Sequence, residues 1–295
     1  MSIKINTGIH HLTNHLAHFP DIFSQALMKQ FQQIIDYQPI IGIMGKTGAG
    51  KSSLINALFQ SPVSSVSDVK GGTRQAQRYT MNMDNHCMTF IDFPGIGENA
   101  ERDNEYHALY HKFLPELDFI IWVLKADDRA WSTDENYYQF LIEQYSYPTS
   151  NILFVLNQAD KIEPCREWDL ITHRPSPQQR QNLHEKSKLV AHTFCPTHPV
   201  ITVSSIEAYQ LALLAEQLVL ALPIHVSSSI VRQLNQQYRT EHVNIAARDD
   251  FGICISQSID NLIDILPLPE FAKKTLLILK DTLTSRIKSL WEYFF

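Results

Sequence analysis

IIGIMGKTGAGKSSLINALF, residues 40–59, decides the fold. The β-rich run IIGIM meets a glycine-rich loop and then a helical stretch, SLINALF, which is the strand, loop, helix order of a phosphate-binding unit. Within it GKTGAGKS, Gly45 to Ser52, matches G-x-x-x-x-G-K-S in its required context. Glycines at Gly45, Gly48 and Gly50 let the main chain wrap closely around an anion, so that successive N–H groups and the following helix N-terminus face it. Gly45, Lys46, Thr47, Gly48, Ala49, Gly50, Lys51, Ser52 and Ser53 are therefore the candidate phosphate-binding set. Lys51 would reach the β and γ phosphates, Ser52 would ligate magnesium and Ser53 would touch the α phosphate.

Two further motifs stand at the right places along the chain. In IDFPG, Asp92 ends an expected strand and Gly95 follows three residues on, the D-x-x-G arrangement that senses a γ phosphate. Asp92 would hold magnesium through water, and the Gly95 N–H would meet the terminal phosphate. In NQAD, Asn157 to Asp160 directly after ILFVL, the carboxylate of Asp160 can accept two hydrogen bonds from guanine N1 and N2. Adenine does not supply that pattern, so Asp160 argues for guanine over adenine nucleotide.

Outward from these motifs the chain alternates strands and helices. Strands are expected at Gln77 to Met83, Met88 to Asp92, FIIWVLK from Phe119, ILFVLN from Ile152 and VITVSS from Val200. Ser176, Pro177 and Gln179 read as N-cap, first-turn proline and capping-box partner of a helix running to about Thr193. EAYQLALLAEQLVLAL, Glu207 to Leu222, reads as an amphipathic closing helix stopped by Pro223. The fold class expected is α/β, a mostly parallel six-stranded sheet with helices on both faces, over residues 39–222, flanked by helical segments at 1–38 and 223–295. In the first, apolar residues at Leu12, Leu16, Phe19, Ile22, Phe23, Leu27, Phe31, Ile34 and Ile35 keep helical spacing, broken near Pro20. In the last, Ala272, Leu276, Leu279, Leu283, Ile287, Leu290 and Phe294 mark a helix with one apolar seam, expected to pack on the nucleotide domain or on the N-terminal helices. Its five basic residues and terminal WEYFF keep peripheral membrane contact open as the alternative.

At this point the motif set resembles the translation-factor-like GTPases with their N-K-x-D base motif, most closely bacterial Era-like proteins, the YfjP group among them. The resemblance covers about residues 38–222 and implies a Ras-like P-loop GTPase domain that binds GTP or GDP with Mg2+. It implies that Ser204, Ser205 and Ile206 stand for the S-A-K motif, where a main-chain N–H meets the guanine oxygen. It implies that Thr73, in DVKGGTRQAQRY, is the threonine that folds over magnesium in the triphosphate state. Lys51, Thr73 and Gly95 are then the catalytic set, and Ser52, Thr73 and Asp92 the metal set. Gln158 replaces the usual base-covering lysine. Ile96 follows D-x-x-G where Ras-type enzymes carry a water-orienting glutamine, so slow turnover accelerated by a partner, a moving loop or a second copy at the nucleotide face is expected. Arg74 and Arg78 are candidate suppliers of positive charge, and the absence of asparagine at Gly48 argues against potassium activation. A ribosomal subunit or structured RNA is the partner the resemblance suggests, although no G-x-x-G RNA loop follows residue 222. The rival reading is a self-assembling or membrane-associated protein resembling immunity-related GTPases or septins, whose phosphate loops have the same form.

Composition bounds these readings. The chain has 295 residues, 44% hydrophobic content and a formal charge of −6, enough apolar surface for a substantial core and no globally basic surface for nucleic acid. Cys87, Cys165, Cys195 and Cys254 form no C-x-x-C pair, which fits a reducing cytoplasm. No signal peptide and no apolar run of about 20 residues is evident, so a soluble protein is expected. The pairs His11 with His15 and His107 with His111 lack the glutamate of H-E-x-x-H, and the spacings from Cys165 to His198 fit no zinc pattern.

Overall fold

The computed structural model describes residues 3–60, 64–65, 77–83, 86–93 and 110–295. Helices α1 (Ile3–Leu16) and α2 (Asp21–Ile35) precede strand β1 (Ile40–Met44) and helix α3 (Lys51–Leu58). Strands β2 (Ser64–Ser65), β3 (Gln77–Met83), β4 (His86–Asp92) and β5 (Phe119–Lys125) follow, then helix α4 (Ser132–Tyr145) and strand β6 (Ile152–Asn157). Helix α5 (Pro177–Phe194), strand β7 (Ile201–Thr202) and helix α6 (Leu211–Ala221) complete this alternation. Four helices end the chain: α7 (Ser227–Gln233), α8 (Glu241–Ile265), α9 (Glu270–Lys288) and α10 (Trp291–Phe294).

The chain divides into two compact units. One comprises Gln38–Pro223 with Gln233–Thr240 and contains the sheet, whose order is β2-β3-β4-β1-β5-β6-β7. From β4 through β7 every neighbouring pair is parallel, while β3 is antiparallel to both β2 and β4. Parallel strands connected through helices bury both faces, and β5 and β6 are accordingly apolar at successive positions and closed to solvent almost throughout. Phe154 stacks on Trp122 with centroids 5.7 Å apart and meets Phe194 of α5 at 4.7 Å, tying strand to helix in the core.

The mostly parallel sheet is the one expected, with three differences of extent. A seventh, two-residue strand, β2, lies at the edge beside β3. The run VITVSS contributes only Ile201–Thr202 to the ladder, because Ser204 turns away to bridge Tyr209 in both directions, at 3.2 and 3.0 Å. The closing helix begins at Leu211 rather than Glu207: Ala208 and Gln210 have φ of 52° and 56°, left-handed values incompatible with a continuing helix. The capping box at α5 forms as read, Ser176 Oγ accepting from Gln179 N and Gln179 Oε1 accepting from Ser176 N.

The second unit contains the helices of residues 3–37 together with Ile224–Arg232 and Glu241–Phe295. Pro20 separates α1 from α2, and the α2 positions Phe23, Leu27, Phe31 and Ile35 are all buried. α2 packs on α8, and α9 packs on α8 and α1. The seam on α9 is buried at Ala272, Leu276, Leu283 and Ile287, while Leu279 stays 39% exposed. Phe31 sits edge-on to Phe294 at 4.9 Å and to Phe251 at 5.9 Å, joining both ends of the chain in one apolar centre. Arg232, buried here, donates to the carbonyls of Ile35 and Phe294 and lies over the Phe295 ring. Such a charge is tolerated only because hydrogen-bonding and aromatic partners surround it.

Candidate functional site

The glycine-rich loop leaves β1 where its main chain presses against β5. A Cβ on Gly45 would lie 2.1 Å from the Val123 carbonyl oxygen, so only glycine fits there. Gly48 and Gly50 have φ of 81° and 84°, the left-handed conformation that turns their peptide units inward. The Ala49 N–H donates to the Lys46 carbonyl at 3.2 Å, closing the turn, and Gly50 directly precedes the first residue of α3. Lys51 Nζ donates to the Gly45 carbonyl at 3.0 Å and stands 3.6 Å from Asp92 Oδ1 at the end of β4. Burial pushes the Asp92 carboxyl above its ordinary range, and the Lys51 ammonium opposes that shift. Ser52 and Ser53 are exposed on the first turn of α3.

The second side of the site comes from the end of β6. Asn157, with no exposed surface, donates through Nδ2 to the Ala49 carbonyl at 2.9 Å and accepts through Oδ1 from the Ser205 N–H at 3.2 Å. One buried amide thus bonds the glycine-rich loop and the 204–206 turn at once. Gln158 takes a left-handed φ of 62° and donates through Nε2 to the Gly48 carbonyl at 2.7 Å, while its Oε1 accepts from Lys161 at 3.3 Å. Ser204, also buried, donates through Oγ to Asp160 Oδ1 at 2.5 Å and accepts from the Glu207 N–H at 3.2 Å. The strand pairing positions this turn: Val203 N–H donates to the Leu156 carbonyl and Ala159 N–H to the Val203 carbonyl. Ile206 is 70% exposed beyond it.

The structure therefore brings together Gly45 through Ser53, Asp92, Asn157 to Asp160, and Ser204 to Ile206. Thr73, Arg74, Gly95, Ile96 and His107 lie outside the described residues. Arg78 is described, and its guanidinium is engaged by Glu116 Oε2 at 2.6 Å.

The partners of the Lys46 side chain lie outside every motif. Lys46 Nζ donates to Asp128 Oδ2 at 3.3 Å and to the Ala130 carbonyl at 2.8 Å, and lies 3.6 Å from Asp134 Oδ2. Asp134, in the first turn of α4, is fully buried and accepts through Oδ1 from the Trp122 indole N–H at 3.0 Å. Burial raises its carboxyl, with Trp122 and Lys46 pulling the other way and Asp128 adding to the rise. The available signal was spacing, since Asp134, Tyr138 and Leu141 share the buried face of α4.

Comparison with known proteins accords with this architecture. Residues 40–158 match the family described as 50S ribosome-binding GTPase. YfjP of Escherichia coli (strain K12) is 40% identical over 285 residues, 96% of this chain and 97% of that protein. YkfA of the same strain is 38% identical over 289 residues, 98% of each. GTPase Era of Aquifex aeolicus is 32% identical over 130 residues, 43% of this chain and 42% of that one. With a glycine-rich loop between β1 and α3, the 204–206 turn bonded to it through Asn157, and likeness running nearly end to end with YfjP and YkfA, the chain belongs to the YfjP-like group of Era-like P-loop GTPases, which bind guanine nucleotide and hydrolyse GTP.

Proposed function

We propose that this chain is a guanine-nucleotide switch whose nucleotide lies across the loop Gly45–Ser53 and the turns around Asp160 and Ser205. The observation that carries the reading is the pair of side-chain amides bridging these motifs: Asn157 to Ala49 and Ser205, and Gln158 to Gly48. The loop glycines would present main-chain N–H groups to the phosphates, with Lys51 on the β and γ phosphates. Ser204 holds one carboxylate oxygen of Asp160, which would leave the other to face the guanine N1 and N2 donors. Gln158 would cover the base where relatives place lysine, its amide already on the loop carbonyl.

A magnesium ion fits the donor set. Asp92 Oδ1 is buried with no hydrogen-bond partner, facing an ammonium at 3.6 Å, and the Ser52 hydroxyl is exposed at the head of α3. These are hard oxygen donors of the kind Mg2+ takes, with Thr73 the third expected from the sequence. Bound there, the ion would neutralise charge on the β and γ phosphates. The chain's own part is to position the nucleotide: Lys51 on the terminal phosphates, the Gly95 N–H on the γ phosphate and Asp160 on the base.

Ordering of the segments around Thr73 and Gly95 by the γ phosphate would change partner affinity, which is the switch. Ile96 in the place of a water-orienting glutamine, and Arg78 committed to Glu116, favour slow turnover stimulated from outside the site, by a partner or by a second copy at the nucleotide face. Ribosome or RNA association is supported by the family description alone. A cytoplasmic location is supported by four unpaired cysteines, and among the described residues no helix is long and apolar enough to cross a membrane. Phosphate release from GTP tests the reading: wild type should turn over slowly with magnesium, and Lys51→Ala should show neither turnover nor GDP binding. Equal release by the two would overturn it.

A further inference from the structure

We propose that Asp134 is a positioning residue for GTP binding, acting through Lys46 to hold the phosphate loop in its anion-receiving shape. The inference rests on the reading of residues 45–53 as the phosphate site and adds to it a residue from outside every nucleotide motif.

A loop that turns several N–H dipoles toward one anion site is strained by their mutual repulsion until an anion arrives, so it needs fixed points in its own frame. The first is Gly45, held against the Val123 carbonyl. The second is Lys46. Its main-chain carbonyl accepts from Ala49 N–H, and its ammonium reaches across to Asp128, the Ala130 carbonyl and Asp134. Asp128 and Ala130 lie in the connection after β5 and are themselves tied down, since Lys186 of α5 donates to the Asp128 carbonyl at 2.6 Å and lies 5.1 Å from the Trp131 ring centre. Asp134 is the buried member of the set.

A fully buried carboxylate is a poor choice for stability. An apolar or neutral side chain of similar size in such a place is often neutral or stabilising. Asp134 nevertheless occupies a core-facing position, with one oxygen satisfied by Trp122 and the other, Oδ2, lacking any hydrogen bond and directed at Lys46. At 3.6 Å the two form an ion pair without a direct hydrogen bond, between a part-exposed ammonium and a buried carboxylate. Because the pin would serve ground state and transition state alike, its loss should appear in affinity and not in the chemical step.

Asp134→Asn keeps the volume and the acceptor for Trp122 while removing the charge that faces Lys46. On the full chain, calorimetry with GDP should give a Kd raised about fivefold or more, about 1 kcal/mol. The KM for GTP should rise in step, with kcat within about twofold. The thermal midpoint of the nucleotide-free protein should be equal or higher, which a purely structural role would not produce. Lys46→Met should raise Kd comparably, and the double variant should add little to either single change. A wild-type Kd in Asp134→Asn, a raised Kd accompanied by a lowered midpoint, or additive effects in the double variant would each overturn the inference. Lys51→Ala separates it from the underlying reading. If Lys51→Ala loses GDP while Asp134→Asn binds as wild type, only the role of Asp134 falls; if Lys51→Ala binds GDP normally, the phosphate site and the pin fall together.

Discussion

Asn157→Ala removes a side chain that bonds the glycine-rich loop and the 204–206 turn simultaneously. Its Nδ2 bond to the Ala49 carbonyl is 2.9 Å and its Oδ1 bond from Ser205 N–H is 3.2 Å, both without solvent access to the side chain. Two such bonds are worth about 2 kcal/mol net, and stranding a buried partner adds about 1 kcal/mol more. A loss of about 3 kcal/mol in a unit of this size corresponds to a midpoint lower by roughly 6 to 12 °C. Nucleotide affinity should fall as well, by about tenfold to a hundredfold, because a ligand that binds only the ordered loop must now supply part of that order. Asn157→Asp is a second probe. It keeps the acceptor for Ser205 but turns a carboxylate oxygen toward the Ala49 carbonyl, and an unpaired buried charge should make it the less stable of the two. Scanning calorimetry without nucleotide and titration calorimetry with GDP read both effects. A midpoint within 1 °C of wild type together with a GDP Kd within about twofold would show that Asn157 does not hold the two segments together.

Other substitutions test neighbouring parts of the account. Gly45→Ala sets a methyl 2.1 Å from a main-chain oxygen, so the chain should lose at least about 3 kcal/mol by chemical denaturation, whereas Gly48→Ala meets nothing within 4 Å and should cost only the left-handed backbone term of about 1–2 kcal/mol. Similar losses for the two would contradict the close approach of the glycine-rich loop to β5 at Val123. In the helical unit, Phe31→Ala removes a ring that meets both Phe251 and Phe294 and should cost about 3–5 kcal/mol, read as loss of hydrogen-exchange protection in α2 and α8. Asp134 predicts a pH signature. Its folded carboxyl is raised above the unfolded value of 3.8, so the native state takes up the proton first and the burial penalty is relieved as pH falls through that raised value toward 3.8. Asp134→Asn should therefore gain most over wild type near neutral pH, with the gap narrowing on acidification; a gap that widens would reverse the sign assigned to its burial.

Much of the sheet was legible because phosphate binding demands an order of elements as well as residues. IIGIM before GKTGAGKS can only be the strand feeding the loop, and the continuous apolar runs at 119–125 and 152–157 state that both faces are covered. Ser176, Pro177 and Gln179 could be read because a capping box uses local bonds alone. The turn at 204–210 could not. Ala208 and Tyr209 continue the apolar spacing of α6, and only the Ser204–Tyr209 bridge, a consequence of β7 ending, shows that the main chain reverses there. Asp134 and the partners of the Lys46 side chain were hidden for different reasons. Lys46 occupies a variable position of its motif, and an aspartate in the first turn of a helix is ordinarily an exposed dipole partner rather than a buried counterion. Periodicity likewise identified the seam on α9 but not its partner, since a stripe records that a face is covered and not by what.

On the proposed function, Asp160 selects guanine at a site lined by the glycine-loop amides. Calorimetric titration of wild type and Asp160→Asn with GDP, ADP and xanthosine diphosphate addresses it most directly. Wild type should bind GDP well ahead of ADP, and the variant, having exchanged an acceptor for a donor, should weaken for GDP and gain xanthosine diphosphate. Equal GDP binding by the two proteins, or ADP bound more tightly than GDP by wild type, would contradict the account.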